Sequence, residues 1–140
     1  MRLSIRNLLP GSIESVTRGE VMGTVVVRLE GGQAVTSAIT LDAIDDLKLA
    51  DGDQAAVLLK STEVAVAVGD VPPLSIRNRI PATIFEVTPG AVMTIVKATI
   101  AGGHTIVAAI TKDGAEDLEL APGDPVTMLI KSTDVGIAVD

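Results

Sequence analysis

Cysteine is absent from the chain, so no disulfide can brace it; the absence fits a reducing compartment. Aromatic residues are almost absent as well. There is no Trp or Tyr, and Phe85 and His104 are the only rings. The stacking platforms that single-stranded nucleic acid requires are therefore missing. The core must be built from Val, Ile, Leu, Ala and Met, a β-branched-rich set that favours strands. No uninterrupted apolar run reaches the roughly 18 residues of a membrane span. Met1-Arg2-Leu3-Ser4 leads straight into structured-looking sequence without an apolar stretch and cleavage site, so a soluble cytoplasmic protein is expected. Basic excess is missing too: 11 Lys and Arg face 18 Asp and Glu, for a net charge of -7. That disfavours broad binding to a phosphate backbone, so neither a nucleic-acid nor a membrane partner is expected. Any anion site on such a chain must be local and made of fixed donors.

What is present is one unit written twice. The offset that carries Ser4 to Ser75 aligns the chain with itself without a gap, with roughly 30 of about 65 aligned positions identical. Ser4-Ile5-Arg6-Asn7 returns as Ser75-Ile76-Arg77-Asn78, and Lys60-Ser61-Thr62 as Lys131-Ser132-Thr133. Gly31-Gly32 returns as Gly102-Gly103, Ala38-Ile39-Thr40 as Ala109-Ile110-Thr111, and Gly52-Asp53 as Gly123-Asp124. The units are 1–69 and 72–140, joined through Gly69-Asp70-Val71-Pro72-Pro73, a connector too short for free motion.

Each unit reads as strand, strand, strand, short helix, strand, strand. Leu3–Thr17 is extended, with an interruption near Pro10-Gly11. Val21–Glu30 alternates its apolar residues, Gly31-Gly32 makes a hairpin, and Ala34–Leu41 returns. Asp42 is placed to cap a short helix with Ile44, Leu47 and Leu49 facing inwards; Asp113 is its counterpart. Ala55–Lys60 and Val64–Val68 complete the set. This order predicts an all-β fold, two tandem OB-like five-stranded Greek-key barrels, each with one short helix. Units of about 70 residues bury little apolar area, and their strand edges invite pairing, so strands or loops exchanged with neighbours are expected.

The recurring donors carry the chemistry. Arg offers a planar fork, Lys a compact ammonium, and Ser hydroxyls rotate to suit. Ser4, Arg6, Asn7, Lys60 and Ser61, with Ser75, Arg77, Asn78, Lys131 and Ser132, suit a tetrahedral dianion that needs donors and no carboxylates nearby. Solvated strand ends and a turn Asn are the plain alternative. They do not explain why every donor recurs while Arg18, Arg28 and Lys48 do not. Thr40 and Thr111, just ahead of the helices, add hydroxyls beside free backbone N–H groups. His104 stands opposite Gln33 in the other unit and reads as surface decoration. The pairs Asp45/Asp46 and Glu116/Asp117 read as a solvated helix face. No Ser/His/Asp set suggests catalysis, and no GxxxxGK[ST] phosphate loop is present.

A unit that opens on Ser-x-Arg-Asn, carries a Gly-Gly hairpin and an Ile-Thr segment, and closes on Lys-Ser-Thr resembles the molybdate-binding mop domain. The tandem pair resembles the di-mop molbindins over essentially the whole chain. That resemblance implies a non-enzymatic cytoplasmic protein that stores and buffers molybdate or tungstate, with no cofactor and no direct protein–metal bond. It also implies a homotrimer holding oxyanions between subunits. Ser4, Arg6, Lys60 and Ser61 would act with Thr40 and the backbone at Ala43 from a neighbouring domain. Ser75, Arg77, Lys131 and Ser132 would act with Thr111 and the backbone at Gly114. Two departures stand out: Ile5 and Ile76 replace a small residue, and Ala43 and Gly114 replace a frequent Ser. A sensing module acting through a protein partner, or a structural oligomer stitched by the repeated cations, are the alternatives.

Overall fold

The structure, a computed structural model, describes residues 2–140. The first repeat supplies β1 (Asn7–Arg18), β2 (Met22–Leu29), β3 (Ala34–Thr40), α1 (Leu41–Asp46), β4 (Gln54–Leu59), a 3-10 turn at Ser61–Glu63 and β5 (Ala65–Ala67). The second repeats this as β6 (Asn78–Pro89), β7 (Met93–Ile100), β8 (Thr105–Thr111), α2 (Lys112–Asp117), β9 (Pro125–Ile130), a turn at Ser132–Asp134 and β10 (Val135–Ala138). Two curled antiparallel five-stranded sheets with a short helix each result, in agreement with tandem OB-like units.

The connectivity adds something the repeat pattern does not show. The sheets run β10-β4-β1-β2-β3 and β5-β9-β6-β7-β8, so each repeat lends its last strand to the other repeat's sheet. Val135 pairs with Leu59, and Ala65 pairs with Leu129. The exchange expected with neighbours is found between the two halves of one chain. Buried residues of both repeats form one continuous cluster, which relieves the small core of a lone unit.

Local details also differ from expectation. β1 runs unbroken through Pro10-Gly11, because Pro10 lies ahead of the β1–β2 ladder, which begins at Gly11, and removes no bond from it. The irregularity falls between Ile13 and Ser15, and again between Ile84 and Glu86. These bulges bend each long strand so that one end pairs with β4 or β9 and the other with β2 or β7. The helix caps are Thr40 and Thr111, whose hydroxyls accept from Ala43 N at 3.2 Å and Gly114 N at 3.1 Å. Asp42 and Asp113 sit inside the first turn, where their charge meets the helix dipole instead. Ile44 and Leu49 are buried as expected, but Leu47 is exposed because it occupies the C-cap.

The two Gly-Gly hairpins meet tip to tip. A Cβ on Gly31 would lie 2.0 Å from Ala101 O, so close approach, not only turn geometry, requires glycine there. Gln33 Nε2 donates to Ala101 O at 2.9 Å, and His104 Nε2 lies 3.1 Å from Glu30 Oε2. His104 is thus a contact between repeats and not surface decoration.

Candidate functional site

Strand exchange decides what surrounds the repeated donors. β4 ends at Leu59 and the chain must cross to the other sheet, so Lys60-Ser61-Thr62 lies in the crossover. Lys131-Ser132-Thr133 is the matching crossover in the other direction. A cleft of about 220 Å³ gathers Ser4, Ile5, Lys60, Ser61 and Thr62, which brings the opening and closing motifs of the first repeat together. Ser61 Oγ and Ser132 Oγ are buried without a hydrogen-bond partner among the described residues. Two orphaned hydroxyls at equivalent positions mark places where a polar group is called for. Lys60 and Lys131 are exposed, as are Ser4, Ser75, Arg6 and Arg77. Arg6, Arg77 and Lys131 form no salt bridge among the described residues.

The threonines are distributed across the repeats. Thr111 lines a cleft of about 340 Å³ with Thr62, Glu63 and Ala109, so the crossover of the first repeat faces the end of β8. Reciprocally, β3 packs on the Ser132–Asp134 turn. Within one chain, Thr111 thus stands by the Lys60 crossover. A capping Thr accepts with its oxygen and keeps its own proton, so Thr40 and Thr111 retain one donor each. The amides of Ala43 and Gly114 are already taken by those caps.

Asn7 and Asn78 have other work. Asn7 is buried; its Nδ2 donates to Leu59 O at 3.1 Å and Val107 O at 2.8 Å, while its Oδ1 accepts from Val107 N at 2.7 Å. Both of its N–H groups are occupied, so none is left for an anion. Asn78 clamps Thr36 of β3 in the same way, donating to its O at 2.9 Å and accepting from its N at 2.8 Å. Each Asn satisfies a sheet-edge residue of the opposite repeat and locks the halves together.

Two residues escaped the sequence reading. Glu63 Oε1 lies 3.5 Å from Lys60 Nζ, and its carboxyl meets Asp134 of the other crossover. The Glu63 carboxyl is held above its ordinary range, chiefly by a hydrogen bond shared with Asp134, then by burial and by the repulsion of that carboxyl, with Lys60 opposing. The signal was present: an acid follows Lys-Ser-Thr in both copies. A carboxylate-free neighbourhood was expected, and the first site does not have one. Among the described residues, no cluster of His, Asp and Glu is arranged to hold a metal ion.

Fold and site together define a tandem OB-like protein in which Ser4, Lys60 and Ser61 converge at a strand crossover. The chain belongs to the TOBE domain family, which matches residues 3–66 and 74–137, and it groups there with the Mop, ModE and ModG proteins. The molybdenum-pterin-binding protein MopB of Rhodobacter capsulatus is 38% identical over 140 residues, covering 99% of this chain and 52% of that protein. Molybdenum-pterin-binding protein 3 of Clostridium pasteurianum is 41% identical over 66 residues, covering 47% of this chain and 97% of that protein. The chain spans about half the length of the long curated relatives it matches, 52% of MopB. A crystal structure of the cytoplasmic molybdate-binding protein ModG with molybdate bound superposes with a TM-score of 0.97 at 29% identity, covering 100% of both chains.

Proposed function

We propose that this protein is a non-enzymatic molbindin that binds molybdate, and tungstate by the same chemistry, to store and buffer it in the cytoplasm. The observation that carries this reading is the pair of buried, unpartnered serine hydroxyls, Ser61 and Ser132, beside the repeated lysines. The full-length likeness to a molybdate-binding structure supports it. Arg6, Lys60, Ser4 and Ser61 donate to one oxyanion, and Arg77, Lys131, Ser75 and Ser132 to another, with Thr40 and Thr111 completing the sites. Asn7 and Asn78 act one step back, by fixing the strands that carry these donors. The oligomer in this reading is a homotrimer with sites completed between subunits, and exposed Val21, Met22, Val92 and Met93 at equivalent tips offer apolar surface for subunit contact. The repeats 1–69 and 72–140 are then the units that each supply one donor set. A sensing role within a longer protein is the second reading, favoured by the half-length match to MopB.

The test is calorimetric titration of the oxyanion-stripped full chain with molybdate, tungstate and sulfate, alongside its mass in solution. Saturable uptake of the first two by a trimer, with sulfate silent, is the expected result. Arg6→Ala should lose about tenfold or more in affinity, the worth of one charge-assisted bond, while the oligomer stays intact. A variant that falls apart instead would return the cations to a structural role. No heat from any oxyanion would end the storage reading.

A further inference from the structure

The crossover region holds four charges and not two. Register carried past the last paired residues sets Asp134 opposite Lys60, because Val135 pairs with Leu59. It likewise sets Glu63 opposite Lys131, because Ala65 pairs with Leu129 two residues on. Backbone register thus sets each acid across from the lysine of the other repeat, while the ion pair formed is Glu63 with its own Lys60 at 3.5 Å. The strands packed against the two turns, β3 and β8, carry no ionisable side chain, so the charged groups to reckon with there are Lys60, Lys131, Glu63 and Asp134, together with Arg6 and Arg77 of the proposed donor sets. Ser61 Oγ and Ser132 Oγ lie buried beside them without partners.

A dianion arriving at Lys60 meets a carboxylate already there. From this juxtaposition we propose that Glu63 and Asp134 form one acidic pair, shared by both oxyanion sites, that competes with the ligand for Lys60 and Lys131 and so sets its affinity. The proposal rests on the oxyanion-binding reading and assigns that site an internal competitor. Its consequence is a proton linkage. Bound dianion repels the pair and favours its protonated form, so binding draws protons onto it and tightens as pH falls. The raised proton affinity of Glu63 in the empty protein runs in the same direction. One pair between two sites also means that charge placed in one is felt in the other.

The experiment titrates the full chain with tungstate and molybdate between pH 6 and 8, in two buffers of different ionisation enthalpy, so that protons taken up are counted. Wild type is compared with Glu63→Gln, Asp134→Asn and the double variant, each checked by circular dichroism and thermal melting. Removing one carboxylate charge a few ångströms from a dianion should tighten binding about fivefold at pH 7.5. The wild type should take up protons on binding and gain affinity towards pH 6; the double variant should do neither. Unchanged or weaker binding by both single variants, or no proton uptake by wild type, would overturn the proposal and leave the storage reading standing. Absence of wild-type binding would remove the site itself and both ideas with it. Should Glu63→Gln fail to fold, Asp134→Asn and the wild-type proton count still decide.

Discussion

Beneath its short helix each repeat is packed differently, although the donors at the crossovers are the same. In the first repeat Gly23 lies under Ile44, and a Cβ there would come within 2.6 Å of Ile44 Cδ1 and 3.3 Å of Leu41 Cδ2. The second repeat has Thr94, Ala115 and Lys112 at those positions. The Gly–Ile and Thr–Ala pairs carry equal numbers of side-chain heavy atoms, but their shapes do not replace one another. A cavity of about 260 Å³ bordered by Thr94, Lys112, Ala115 and Glu116 remains, and Thr94 Oγ1 is buried without a partner. The helix underside could change in one copy alone because it touches only its own barrel. The crossovers could not, since each is packed against the other repeat. At the crossovers the two copies keep Lys-Ser-Thr unchanged.

The sharpest way to break that junction is Asn7→Ala. It leaves Val107 N, Val107 O and Leu59 O without the amide, at about 1–3 kcal/mol for each buried group that water cannot reach, so a loss of about 4 kcal/mol is expected in urea unfolding. Asn78→Ala strips two groups of Thr36 and should lose about 3 kcal/mol by the same reasoning. Equal losses would show that the halves are interchangeable. Ile44→Ala comes next, at about 3 kcal/mol for a fully buried side chain. In a Gly23→Thr background the same change should cost about 1 kcal/mol less, because the pair then copies the second repeat. Absence of coupling would mean that Thr94 and Ala115 do not compensate each other.

Much of this was legible beforehand. Alternation from Gly23 to Leu29 marks β2, and the repeated Gly-Gly marks the hairpins. Ser4, Lys60 and Ser61 do converge on one cleft. The strand exchange was not legible, because β4 and β5 have the same pattern whichever sheet receives β5. Asn7 was read as a ligand donor for a related reason: its partner Val107 lies in the other repeat, and sequence distance conceals the contact. Thr40 shows the reverse error. Asp42 is the stronger capping residue by type, but Thr40 leaves β3 with extended dihedrals and so holds the cap position.

Thr94→Val tests the cavity more gently. Removing a buried hydroxyl that bonds to nothing, at nearly constant shape, should stabilise the protein by about 1 kcal/mol. A loss instead would show that the hydroxyl has a partner, such as an ordered water in the cavity.

The smallest expected effect concerns the empty protein and its acidic pair. The Glu63 carboxyl is held above the ordinary 4.5, so the folded chain binds its proton more tightly than the unfolded chain does. The stabilisation that this contributes is complete below that ordinary value and disappears as pH rises through the folded one. Melting temperatures of wild type and Glu63→Gln should therefore diverge upward from about pH 4.5, with the variant gaining relative to wild type towards neutrality. Lys60 opposes the shift, which keeps the divergence small. Lys60→Met should enlarge it, since the carboxyl then loses the one cation at 3.5 Å. A divergence in the opposite sense would mean that Lys60 and Lys131 together outweigh Asp134, and that the carboxylates hold the crossovers closed instead of straining them.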